Sequence, residues 1–301
     1  MSYILTLVAS SNNAPLTDKH FSIIANIIEH YNLKFQSKII WLGKAKAAEV
    51  SISGRAQSAL VAHLREVLEK DRIDFFVTKN EKRQKKLLLA DMDSTITKGE
   101  TLDDLADYAG IKDKVSEITA RAMNGELNFH DALRERVGLL RGLKTTALSA
   151  TLAETSLSVG AETFVQTMRK SGAACVLVSG GFTFFTEEIA VRCGFGFNHG
   201  NRLEIQGDEL TGGVVDPILD KYSKLEFLEK YMNDFNLSKE DCLTIGDGAN
   251  DLPMLKAAGL GIGYRPKEAV KSDIANCILY GDLTASLYAQ GLSSDNFCNT
   301  N

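Results

Sequence analysis

Three short apolar runs, Leu87-Leu88-Leu89-Ala90, Val176-Leu177-Val178 and Leu243-Thr244-Ile245, each stop abruptly in a polar turn. Helical periodicity fills the stretches between them, the pattern of parallel strands joined by right-handed crossovers with helices on both faces of a sheet. In such a sheet the carboxyl ends of the strands border the ligand crevice, so the three turns are where chemistry is expected. The first carries Asp91 and Asp93, one residue apart. A buried strand has no structural use for two neighbouring carboxylates, which repel unless they stay hydrated or acquire a cation. The second is Ser179-Gly180-Gly181, a hydroxyl and backbone amides suited to phosphate oxygens, although a plain strand-to-helix turn uses the same residues. The third, Gly246-Asp247-Gly248-Ala249-Asn250-Asp251, offers oxygen ligands that suit a hard cation such as Mg²⁺. A solvated turn with an Asx cap accounts for one of its aspartates more easily than for both.

The N-terminal part reads differently. Strands at residues 3–9, 35–42, 47–52 and 73–78 and helices at 17–30 and 55–70 give the order βαββαβ, a ferredoxin-like pattern. It resembles the small-molecule-sensing ACT domains but carries no ligand motif, so a packing or dimerisation module is as good a reading as an amino-acid sensor. Charge also divides the chain: residues 1–86 hold 14 Lys and Arg against 8 Asp and Glu, and the remainder 20 against 31. The basic run at residues 79–86 is read as a solvated linker, not a nucleic-acid surface.

The expected architecture is an α/β Rossmann-like parallel core preceded by that N-terminal domain. Residues 1–80 form the ferredoxin-like domain, 81–86 the linker, 87–100 and 156–290 the core, 101–155 a helical cap, and 291–301 a weakly ordered tail. A hairpin is expected around residues 206–209. The five cysteines are scattered without a Cys-x-x-Cys pair, which suggests neither a disulfide framework nor a zinc site. With no basic leader and no membrane-length apolar run, a cytoplasmic protein without membrane partners is expected, with room for a homodimer through the N-terminal domain.

Asp91-x-Asp93-x-Thr95, Ser179, Lys224 and Gly246-Asp247-Gly248-x-Asn250-Asp251 together resemble the haloacid dehalogenase superfamily over about residues 85–285. The resemblance implies Asp91 as a nucleophile that becomes an aspartyl-phosphate and Asp93 as the acid and base. It also implies Mg²⁺ held by Asp91, the Asp93 carbonyl and Asp247, with Lys224, Ser179, Gly180 and Asn250 on the phosphate. A carboxylate attacking a phosphate dianion needs that positive charge on physical grounds alone, and an alkoxide leaves poorly unless an acid such as Asp93 protonates it.

Within the superfamily, Gly99-Glu100, the stretch from Ala122 to Phe129, and Leu133-Arg134-Glu135-Arg136-Val137 resemble the phosphoserine phosphatase family. That implies Glu100 on the substrate ammonium, Arg136 on its carboxylate, and Met123 and Phe129 closing over it. The bland alternatives are that Glu100 caps a helix, that Arg136 pairs with Glu126 or Glu135, and that Met123 and Phe129 are cap core. Functional alternatives are another phosphomonoesterase or phosphotransferase of the superfamily, acting on a sugar phosphate or passing phosphate to homoserine, or an amino-acid sensor.

Overall fold

In chain order the strands are β1 (Tyr3–Ala9), β2 (Ile40–Gly43), β3 (Ala47–Ile52), β4 (Ile73–Lys79), β5 (Leu87–Ala90), β6 (Ala174–Phe182), β7 (Phe197–Gln206), β8 (Glu209–Val215), β9 (Cys242–Gly246), β10 (Leu260–Tyr264) and β11 (Cys277–Ile278). The helices are α1 (Asp18–His30), α2 (Ser58–Glu69), α3 (Thr101–Tyr108), α4 (Lys112–Met123), α5 (Phe129–Gly138), α6 (Thr145–Glu154), α7 (Ala161–Lys170), α8 (Thr183–Cys193), α9 (Lys221–Asp234), α10 (Leu252–Ala257), α11 (Glu268–Asp273) and α12 (Ala285–Ala289). This computed structural model describes residues 2–10, 15–123 and 126–299, without the side chains of residues 122 and 123.

Strand β5 shows how the core is built. Its four residues are fully buried and alternate between two layers. Leu88 and Ala90 enter the layer that holds Val165 and Met168 of α7, Phe185 of α8 and Tyr288 of α12. Leu87 and Leu89 enter the opposite layer, with Leu228 of α9, Met254 of α10 and Val270 of α11. Burial of each leucine side chain contributes about 1.5–3 kcal/mol, which holds the strand in the middle of the sheet. It pairs in parallel with β6 on one side and β9 on the other, so Asp91, Ser179 and Asp247 emerge side by side.

The parallel set extends as β11-β10-β9-β5-β6-β7, and β8 returns antiparallel along β7. The predicted hairpin is present, with arms reaching back to Phe197 and on to Val215. Its outer edge supports the cap: Leu210 N–H donates to Leu143 O at 2.9 Å and Gly142 N–H to Leu210 O at 2.8 Å, just before α6.

The first four strands run in the order β2-β3-β1-β4, all antiparallel, the split βαββαβ arrangement read from the pattern. Helices α1 and α2 cover one face with Phe21, Ile24, Leu60 and Leu64. The sheet does not end at β4. Phe75 pairs antiparallel with Cys277 of β11, so one 11-stranded sheet passes through both parts of the chain. The other face of the N-terminal strands, with Val8, Ala47 and Phe76, shares a core with Tyr288 and Leu292.

Several expectations are corrected. The strand predicted from residue 35 begins at Ile40, and Phe35 makes only an isolated bridge to Ile52. The run at 79–86 is largely exposed, as a solvated linker would be, but is anchored at two points: Arg83 makes a bidentate pair with Glu49 at 2.9 and 2.6 Å, and the buried Lys85 donates to Lys82 O and Glu240 O. The tail is packed, with Leu292 buried, Phe297 against Tyr288, and Cys298 N–H donating to Thr167 Oγ1. Strands β10 and β11 were not anticipated, because Leu-Gly-Ile-Gly-Tyr breaks the apolar run with glycine and β11 has two residues.

The junction has a polar centre at Asp74 of β4, which is 2% exposed and accepts backbone N–H bonds from Leu279 (2.8 Å), Tyr280 (3.2 Å) and Gly281 (2.8 Å). Removing it strands three donors. Asp74→Ala is expected to destabilise the protein by about 3 kcal/mol, read as a lower urea midpoint; an unchanged midpoint would show that the junction tolerates the loss.

Candidate active site

Beyond Ala90 the chain makes one irregular turn before α3. Asp91 N–H donates to Ile245 O of the neighbouring strand at 3.0 Å, Ser94 N–H to Gly99 O at 3.0 Å, and Thr97 N–H to Met92 O at 2.9 Å. Ser94 takes φ +55°, a left-handed conformation uncommon outside glycine. The turn keeps Asp91 and Asp93 on the same cavity while giving them different surroundings.

Asp91 is 4% exposed and faces Lys224, which is 2% exposed. That ammonium also donates to Asp251 at 2.5 Å. Lys224 is delivered by the first turn of α9, whose start is fixed by the Asp220 side chain accepting from Tyr222 N–H (2.8 Å) and Ser223 N–H (3.3 Å). Asp91, Asp247 and Asp251 place one oxygen each within 4.8 Å of one another. Two of these three buried carboxylates thus share the Lys224 ammonium. Burial, then the Asp251 charge, push the Asp91 carboxyl well above the ordinary carboxylate range against the pull of Lys224. Burial alone would lower Lys224, and Asp251 and Asp91 outweigh it and hold it above the ordinary lysine range. An all-oxygen donor set with surplus negative charge fits a hard divalent cation.

Asp93 is placed differently. Its Oδ2 accepts from Ser179 Oγ at 2.8 Å and its Oδ1 from Thr101 N–H at 2.8 Å. Burial, then the neighbouring Glu100 charge, raise it to about 6, with the Thr101 and Ser179 donors opposing. Its carboxylate lies outside the three-acid cluster, so only its main-chain carbonyl is left for the ligand role that the resemblance implies. The Ser179-Gly180-Gly181 segment is a correction to the expected turn: it continues β6 as far as Phe182. Ser179 Oγ accepts from Gly181 N–H at 2.8 Å while donating to Asp93. A Cβ at Gly181 would lie 2.9 Å from Asp93 Oδ2, so glycine keeps the two strand ends together.

Asp91, Asp93, Gly181 and Asp247 line a cavity of about 430 Å³ between core and cap, and Ser179 and Lys224 lie beside it on a smaller pocket with Gly180, Phe129 and Asn250. Glu100, Arg136, Phe129, Gly180, Asp247 and Asn250 border the larger cavity with Asp91 and Asp93. The capping role for Glu100 is not seen: it precedes α3 without a side-chain cap bond, and its Oε1 accepts from Ser94 Oγ at 2.8 Å. Arg136 does not pair with Glu126 or Glu135, because Arg121 takes both, at 3.9 and 2.9 Å. Its Nε donates to Ala132 O at 3.2 Å. Burial lowers its pKa, with Asp103 and Glu100 opposing. Phe129 is 41% exposed and stands over Gly180, so it is not cap core. The Met123 side chain lies outside the described residues.

Three contributors were not singled out from the sequence. Asp251 was visible within its motif, but its work is tertiary: besides Lys224 it accepts from Asp247 N–H (3.2 Å) and Gly248 N–H (3.0 Å), holding the turn. Asn201 of β7, 1% exposed, donates to Gly180 O at 2.7 Å and accepts from Leu219 N–H at 2.8 Å. Lys267 lies 3.2 Å from Asp247 Oδ2. No local pattern marks the last two.

The profile of the haloacid dehalogenase-like hydrolases matches residues 85–259. Over 194 residues the chain is 40% identical to a phosphoserine phosphatase of Archaeoglobus fulgidus, a match covering 64% of this chain and 56% of that protein. Over 191 residues it is 41% identical to the phosphoserine phosphatase of Lactococcus lactis subsp. lactis, covering 64% and 88%. Among solved structures, a HAD family hydrolase from Salmonella enterica subsp. enterica serovar Typhi superposes with a TM-score of 0.84 at 26% identity, covering 96% of this chain and 98% of the other. The chain belongs to the haloacid dehalogenase-like hydrolase family and, by its phosphoserine phosphatase relatives, is a phosphoric monoester hydrolase.

Gly246 tests how far the carboxylate cluster depends on close approach. A Cβ there would lie 2.4 Å from Asp251 Cγ. Gly246→Ala is expected to cost about 2 kcal/mol in urea unfolding and to weaken divalent-cation binding measured by calorimetry. Wild-type values in both would show that Asp251 can move without loss.

Proposed function

We propose that the protein hydrolyses O-phospho-L-serine to L-serine and inorganic phosphate, with Mg²⁺ and through an aspartyl-phosphate at Asp91, the last step of L-serine synthesis. The observation that carries this reading is the placement of Glu100 and Arg136 on the cavity that holds Asp91 and Asp93. An amino acid presents an ammonium and a carboxylate, and one anion with one planar cation reads both. The names of the relatives agree with that substrate.

In this reading an oxygen of Asp91 attacks phosphorus, and the P–O bond to the serine side chain breaks. Asp93 protonates the departing alkoxide, then takes a proton from the water that attacks the aspartyl-phosphate, which returns Asp91. Ser179 Oγ, the Gly180 amide and Asn250 bind phosphate oxygens, and Lys224 keeps a positive charge beside the nucleophile. Asp91, Asp247 and the Asp93 carbonyl would hold the Mg²⁺, with Asp251 orienting the turn. Bound there, the cation neutralises charge between the nucleophile and the phosphate dianion. Phe129, on the cap, covers the substrate. The five free cysteines, four of them buried, suit the reducing conditions of the cytoplasm.

A substrate panel tests this directly. Phosphoserine is expected to be preferred over phosphothreonine and sugar phosphates, with activity lost on chelation. Arg136→Ala should raise KM for phosphoserine about 10- to 100-fold, and Asp91→Asn should lower kcat by about three orders of magnitude or more. A flat panel, or phosphate passed to added homoserine in preference to water, would sink the assignment.

The pH profile tests the role of Asp93. Its acid form is present below about pH 6 and is lost as pH rises. Ser179 stabilises the ionised form, so Ser179→Ala should raise the pKa and move the alkaline limb of single-turnover ester cleavage to higher pH. A limb that stays in place would assign the proton to another group.

A further inference from the structure

Lys267 and Arg65 have no part in the chemistry described above, yet together they connect the N-terminal unit to the cavity. Lys267 immediately precedes α11 and borders the cavity together with Asp91, Asp93, Asp247 and Asn250. Its backbone N–H donates to Asp247 O at 2.9 Å. Its ammonium lies 3.2 Å from Asp247 Oδ2 at the end of a side chain that is 60% exposed. Lys224, in contrast, has a side chain only 3% exposed and is bound by Asp91 and Asp251. Lys267 can therefore exchange a carboxylate oxygen for the oxygen of an entering anion at little desolvation cost, whereas Lys224 cannot.

The far end of α11 is held from outside the catalytic core. Arg65 of α2 donates through Nη1 to Lys271 O at 2.6 Å, and through Nη2 to Ile274 O at 2.6 Å and Ala275 O at 3.1 Å. A planar guanidinium on the closing carbonyls of a helix satisfies several acceptors at once and complements the negative end of its dipole. The helix between the two ends has six residues, about 9 Å of rigid rod. Fixing its C-terminal carbonyls fixes the position from which Lys267 leaves its N-terminus.

We propose that Lys267 is a phosphate-binding residue of this cavity and that Arg65 is its positioning residue, acting through α11. The inference rests on the cavity taking a phosphate monoester. It makes the N-terminal unit a contributor to phosphate affinity with no ligand of its own required.

The test uses the full chain with saturating Mg²⁺ and inorganic phosphate as a competitive inhibitor. Lys267→Met and Arg65→Ala should each raise the phosphate inhibition constant about threefold or more and raise KM for phosphoserine more than they lower kcat. The double variant should be no weaker than the weaker single one, since both changes remove the same contact. Arg65→Lys, with one ammonium for three carbonyls, should fall between wild type and Arg65→Ala, and it carries the test if the alanine variant does not fold. An unchanged inhibition constant in Lys267→Met or in the Arg65 variants overturns the proposal, as do effects that multiply in full in the double variant. If the wild type neither hydrolyses phosphoserine nor is inhibited by phosphate, the functional reading itself fails. If it does both and the variants match it, only this inference fails.

Discussion

One ammonium among three buried carboxylates organises the molecule. Lys224 stands between Asp91 and Asp251, with Asp247 completing the group, and each of the four is nearly enclosed. Such a cluster is expensive to bury, and its own internal pairing leaves negative charge unbalanced. A fold selected for stability alone would fill the space with apolar side chains. The cluster persists because β5 and β9 are neighbours, so Asp91 and the turn after Gly246 emerge together. The capped start of α9 then delivers the lysine from below. The same imbalance that costs stability is what recruits a divalent cation and, with it, a phosphate dianion.

The two aspartates of the first turn acquire different chemistry from different partners. Asp91 has the Lys224 ammonium beside it. Burial and the nearby Glu100 charge raise Asp93 to about 6 against its hydroxyl and amide donors, a value at which a carboxyl can both give and take a proton. Two residues of spacing along the chain would not separate their roles without the left-handed turn at Ser94 and the arrival of Ser179 from β6.

Core and cap both contribute charge to the cavity. Glu100 stands at the start of α3, and Arg136 projects from α5 into the same cavity. The cap packs on the core through Leu133, Val137, Leu148 and Leu152 and through the backbone bonds of Gly142 and Leu143 with Leu210, with the exposed Arg134–Asp216 pair at 2.8 Å and His130 at 3.6 Å from the half-buried Asp220 beside them. The N-terminal unit is joined to the core by a shared sheet, a shared apolar cluster and the bonds of Asp74, Arg65 and the Arg83–Glu49 pair. Its sheet continues the sheet that carries the site, which distinguishes it from a tethered module.

The sequence by itself determined the reaction centre and the elements that present it. Apolar runs ending in Asp91-x-Asp93 and Gly246-Asp247-Gly248 were legible because strand periodicity and turn chemistry are local properties of the backbone, whereas Ser179-Gly180-Gly181, read as a turn, continues its strand. The βαββαβ order of the first 80 residues was legible for the same reason. Tertiary structure alone decided what lies across the chain. It paired β4 with β11, took Arg121 for Glu126 and Glu135 and so left Arg136 to the cavity, and set Asn201 behind Gly180. It also brought Arg65 to carbonyls 206 residues away. Such choices depend on which edges and charges meet once the core has closed, and a charged side chain carries no mark of its partner in the residues beside it.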